Sequence, residues 1–106
     1  MKIRYSRLWS LGNFENEKID LERDFPENIS YAEGLTLLMQ LVDKDHAVRV
    51  KIRILASNIK NHEACLWDYQ QSNSVGEHDK NITGYKQLLA KEKRLLRKLN
   101  KELLEV

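Results

Sequence analysis

Residues 38–69 read LMQLVDKDHAVRVKIRILASNIKNHEACLWDY, and the period at which they repeat decides the fold. From Leu38, the residues Leu41, Asp45, Val48, Ile52, Leu55, Ile59, His62, Leu66 and Tyr69 follow an unbroken alternation of three and four. That spacing lines one seam of an α-helix, with Asp45 and His62 its only polar members. A shorter period competes inside it. Val48-Arg49-Val50-Lys51-Ile52-Arg53-Ile54 alternates strictly, and β-branched residues favour strands. No turn signal follows Ile54 and the seven-residue pattern continues past it, so the helix is the better reading. As helix, Ala47, Val50 and Ile54 make a second apolar strip off the seam, and a helix with two apolar faces touches two neighbours.

The ends of this helix are also marked. Pro26 stops whatever precedes it, and Ser30-Tyr31-Ala32-Glu33 has the spacing of a capping box, with Ser30 as N-cap. The expected helix is 30–71. Its polar cluster Asp43–His46 is a surface or a bend; Asp43-Lys44-Asp45 lacks the glycine and the twelfth-position glutamate of a calcium loop. Residues 72–81 are loop by composition. A second helix is expected over 82–104, its seam Ile82, Tyr85, Leu89, Glu92, Leu96, Leu99, Leu103 and Val106, broadened by Leu88 and Leu95. At 1.5 Å per residue it runs ~35 Å, enough to fold back antiparallel on the second half of the first helix.

Upstream of Pro26 the period is two. Ile3, Tyr5, Trp9 and Leu11 share one side of an extended strand, and Ile19, Leu21 and Phe25 share one side of another, with charged residues opposite. This is a β-hairpin over 2–25. Apolar residues on both strands are odd-numbered, so paired positions must have an even sum. That condition predicts a three- or five-residue loop that includes Phe14 and reaches toward Glu15 and Asn16. Arg7 and Arg23 fall on the apolar side, where a guanidinium must snorkel or find a partner. The fold class is α+β, mostly α: a β-hairpin, a long helix and an antiparallel C-terminal helix in a single domain, 1–106.

The opening residues, Arg4-x-Ser6 followed by Leu11-Gly12-Asn13-Phe14-Glu15-Asn16, resemble the start of small uncharacterised proteins of bacteriophages and prokaryotic mobile elements. The resemblance covers about 25 of the 106 residues. It implies a small accessory protein and brings no activity with it.

Composition narrows the function classes. The 106 residues carry 18 basic and 16 acidic side chains, a 42% hydrophobic share, one proline, four glycines and one cysteine, the profile of a globular chain rather than a disordered one. A single cysteine, Cys65, excludes an internal disulfide and a four-thiolate zinc site. No apolar run approaches the ~20 residues of a membrane span. The first seven residues have no apolar secretory core, so the expected location is cytoplasmic. No phosphate-binding glycine loop, nucleophile elbow or isolated carboxylate pair is present. The expectation is therefore a non-enzymatic protein with no catalytic residues, no cofactor and no small-molecule substrate. His62 and Cys65 lie one turn apart, but His46 and His78 lack partner spacing; no metal site is expected, and His62 reads as a seam histidine beside a small buried thiol.

Two surfaces remain as candidates. The first is an apolar interface at Ala47, Val50 and Ile54, joined by Trp67, which falls one position past seam residue Leu66; Trp9, on the hairpin's apolar side, reads as core. Exposed strips of this kind usually mark protein contacts, so the expected partner is a second copy or another protein. The second is a basic ridge. Residues 85–106 hold seven basic groups against three glutamates, and Lys91, Lys93, Arg94, Arg97, Lys98 and Lys101 all lie off the seam. That ridge is either a solvated helix face or a surface for nucleic-acid phosphates.

Overall fold

The computed structural model describes residues 1–12 and 15–103, in the order β1 (Lys2–Gly12), β2 (Glu15–Asp24), α1 (Tyr31–Ser72), α2 (Asp79–Glu102). The expected α+β architecture stands, and residues 48–54 are helix. The chain divides into two compact units, one of Met1–Val48 and one of Arg49–Leu103.

In the first unit β1 and β2 pair antiparallel from Lys2↔Asp24 to Ser10↔Asn16, every pair summing to an even number as the facing required. The register then shifts between Ser10 and Gly12, so that Gly12 pairs with Glu15 and Leu11 is the extra residue of a bulge. This corrects the loop: Glu15 and Asn16 belong to β2 rather than to the turn. Gly12 has φ +78°, a left-handed conformation that glycine adopts without steric cost. The expectation for Phe14 lies outside the described residues. Leu11, on the bulge, is exposed, so the apolar face of β1 ends at Trp9.

Ile3, Ile19 and Leu21 point from the hairpin onto Leu38 and Val42 of α1, and Tyr5, Trp9, Phe25 and Leu35 pack around these five buried side chains. Full burial of each aliphatic residue is worth ~1.5–3 kcal/mol. The seam is corrected here: Val42 is fully buried while Leu41 is exposed. A helix laid on a hairpin follows its own 3.6 period, giving Gly34, Leu38, Val42 and Asp45, rather than the 3.5 period of paired helices. Gly34 permits the approach. A Cβ there would overlap Ile3 Cδ1 and lie 3.4 Å from Phe25 Cδ2. Ser30 caps α1, its Oγ accepting the Glu33 N–H at 3.2 Å.

The polar cluster of α1 faces the hairpin. Arg7 Nη1 donates to Asp43 Oδ1 at 2.9 Å, and Arg7 Cζ lies 5.0 Å from the centroid of the Trp9 ring. The His46 ring stacks on Trp9 with 3.9 Å between centroids and a 4° interplanar angle, and its Nδ1 is 3.0 Å from Glu17 Oε1. Trp9 is thus half-buried in contact with both a guanidinium and an imidazole, not simply core. Asp45 is buried, and among the described residues no buried side-chain nitrogen or oxygen lacks a hydrogen-bond partner. Arg4 and Asp20 form a cross-strand ion pair, with Arg4 Nε donating to Asp20 Oδ1 at 2.9 Å.

In the second unit Leu55 and Ile59 of α1 are buried together with Leu89, Glu92 and Leu99 of α2, and Ile52, Leu66, Tyr69, Tyr85 and Leu96 are half-buried. The connection is shorter than expected and α2 begins at Asp79. Asn73 explains this: its Oδ1 accepts the His78 N–H at 3.0 Å and its Nδ2 donates to Asp79 Oδ1 at 2.8 Å, tying the loop to the helix start.

Candidate protein-interaction surface

The two seams of the second unit each carry one polar residue, and these meet: His62 Nδ1 is 2.6 Å from Glu92 Oε1. Next to them Lys93 pairs with Glu63 at 3.2 Å. His62 is therefore a helix-pairing residue, as the seam suggested. Cys65 departs from expectation. It is exposed, because eleven residues beyond Ile54 it falls on the flank of α1 rather than on its seam.

That flank carries the apolar surface. Ile54 is 59% exposed and Leu95 is 47% exposed, and together with Lys51, Leu55, Asn58 and Leu99 they line a cleft of about 360 Å³. Leu88, one heptad before Leu95, is exposed as well. Leu88 and Leu95 thus do not broaden the buried seam; they stand beside it. Further along, Cys65, Asp68, Tyr69, Ser72, His78 and Tyr85 line a second cleft of about 300 Å³. Tyr69 lies 5.8 Å from Tyr85 and 5.0 Å from His78 between ring centroids. A hydrogen bond with Cys65, then the charge of its thiolate and then burial, raise the Tyr85 pKa above the ordinary phenol value.

Of the residues expected at an interface, Ile54 lines the apolar cleft. Val50 is half-buried and Ala47 is exposed within the first unit. Trp67 is 61% exposed, but thirteen residues from Ile54 it lies about 140° around the helix and belongs to another face. Leu95 was missed as a surface residue because its period matches the seam; the signal was Lys91, which sits between Leu88 and Leu95 and marks that flank as wet.

All six residues of the basic ridge are exposed. They divide. Lys91, Arg94, Lys98 and Lys101 recur at three-four spacing on one stripe, while Lys93 is occupied by Glu63 and shares the other side with Arg97. Arg94 Nε turns back to the Ala90 carbonyl at 3.4 Å. Among the described residues, no group of three or more His, Cys, Asp or Glu side chains is placed to hold a metal ion, and no helix is long and apolar enough to cross a membrane.

Neither protein-family models, nor curated proteins, nor solved structures yield a match to this chain.

Proposed function

We propose that the chain is a small non-enzymatic accessory protein that engages another protein through the helical hairpin of its second unit. The observation that carries this is the adjacent pair Ile54 and Leu95, both exposed over a floor of Leu55 and Leu99. Apolar side chains converging in a cleft between two helices are the usual seat of a third helix. Light scattering reads directly, as mass, whether a second copy of the chain occupies that cleft.

The decisive variant is Ile54→Glu with Leu95→Glu. On an exposed binding face each change should move folding stability by only about 0.5 kcal/mol, while charge placed at the contact abolishes association. A double variant that unfolds would assign both side chains to the core and end this reading. A second reading, nucleic-acid binding, is supported by the stripe Lys91, Arg94, Lys98 and Lys101. Its mark is affinity that falls steeply with log[salt], because phosphate contacts release counterions.

A further inference from the structure

We infer that the Ile54–Leu95 cleft takes an acidic amphipathic helix of another protein, with apolar residues at helical spacing along its centre and carboxylates along its edges. This rests on the interaction reading above and adds the chemistry of the occupant. The floor and the rim of the cleft give different information. The floor is apolar and calls for a leucine-like side chain or two. The rim is basic: Lys51 lines the cleft on α1, and Lys91 and Lys98 flank Leu95 on α2. Among the described residues none of these three lysines has a carboxylate partner.

The surroundings repeat the bias. Residues 49–103 contain twelve basic and six acidic side chains, and three of the six acids are occupied, Glu63 by Lys93, Glu77 by His78 and Glu92 by His62. The first 48 residues, by contrast, hold six basic and nine acidic side chains. A second copy docking by the same face would bring one basic rim of Lys51, Lys91 and Lys98 against another, since an isologous contact joins the same patch of both copies. Nucleic acid would use the lysines but has no use for the leucine floor. A helix that is leucine-rich on one face and acidic at its edges satisfies both.

The test uses the intact chain and three probes in fluorescence polarisation. The first is a labelled helical peptide of about 18 residues with a leucine stripe and glutamate edges, the second the same peptide with every glutamate changed to lysine, and the third a single-stranded oligonucleotide of similar size. The acidic peptide should bind at least about tenfold tighter than its lysine twin, with an affinity that weakens as salt rises. Ile54→Glu/Leu95→Glu should remove that binding. Lys51→Glu/Lys91→Glu/Lys98→Glu changes only surface groups, should keep the circular dichroism of the parent, and should reverse the preference toward the lysine peptide.

Equal binding of the two peptides, binding of neither, or unchanged preference in the charge-reversed variant overturns the inference. Oligonucleotide binding that survives Ile54→Glu/Leu95→Glu, without acidic-peptide binding, overturns it in favour of phosphate. A dimer that Ile54→Glu/Leu95→Glu dissociates, with no peptide bound, also overturns it yet leaves the interaction reading standing. Failure of that double variant to fold, with the charge-reversed variant folded and indifferent to peptide, defeats both.

Discussion

Alanine at Gly34 and alanine at Gly84 should move stability in opposite directions. In a helix interior alanine is favoured over glycine by ~0.8–1 kcal/mol, because glycine loses more backbone freedom on folding. At Gly84 nothing lies within 4 Å of the added Cβ, so α2 should keep the whole gain. At Gly34 the same carbon would overlap Ile3 Cδ1 and press on Phe25 at 3.4 Å. Ile3 is 1% exposed and enclosed by the hairpin core, so its terminal methyl has nowhere to swing. Overpacking of that kind costs about 1–3 kcal/mol, and the fourth residue of a helix collects less than the full propensity gain, so Gly34→Ala should lose up to about 2 kcal/mol net. In urea the two variants should therefore separate by roughly 1 M in midpoint at unchanged slope. Combining Gly34→Ala with Ile3→Val, which deletes the opposing methyl, should cost less than the sum of the two single changes. If Gly34→Ala stabilises as much as Gly84→Ala, α1 does not approach the hairpin at that glycine, and the packing described for the first unit is wrong.

Removing the Ser30 hydroxyl with Ser30→Ala should cost about 0.5–2 kcal/mol, read as a lower denaturation midpoint. Changing His62 to Ala strands the buried Glu92 carboxylate and should cost ~1–3 kcal/mol, whereas His62→Leu with Glu92→Leu should be near neutral; equal losses in both would refute the pairing. Because the folded-state pKa of Tyr85 is raised, its contribution to stability is full below the unfolded phenol value and is lost as pH rises through the folded one. Ultraviolet titration of parent minus Tyr85→Phe should place this phenol above its ordinary range, and Cys65→Ala should bring it back down.

Most of the fold was legible because two periods could not be confused over long stretches. A heptad that survives from Leu38 to Tyr69 outlasts the seven-residue alternation inside it, and even-sum pairing followed from odd-numbered apolar residues on both strands. Where the reading slipped, the neighbour rather than the chain set the period. Leu41 gave way to Val42 because the first turns of α1 pack on a hairpin, and nothing in a run of leucines and valines names the surface they meet. The bulge at Leu11 was hidden because it changes the parity of the last pair without changing that of the others. The roles of Asp43, His46 and Glu17 depended on contacts across 29 or more positions in sequence, which local spacing does not carry.

The candidate interaction surface was only half legible for a related reason: it depends on the register between two helices. In the second unit the seam leucines and isoleucines are nearly interchangeable from one heptad to the next, so apolar packing alone would tolerate α2 sliding by seven residues along α1. The single polar residue on each seam removes that freedom. His62 meets Glu92 at 2.6 Å, whereas a slip of one heptad toward the start of α1 would set Glu92 against Leu55. An unpaired carboxylate buried there costs at least ~1–3 kcal/mol, enough to populate one register almost alone. That register is also what brings Leu95 beside Ile54, with Lys51 lining their cleft and Lys91 and Lys98 spaced four and three residues from Leu95. Two polar residues that weaken an otherwise apolar seam thus determine which apolar side chains are left outside it, and the exposed pair follows from the buried one.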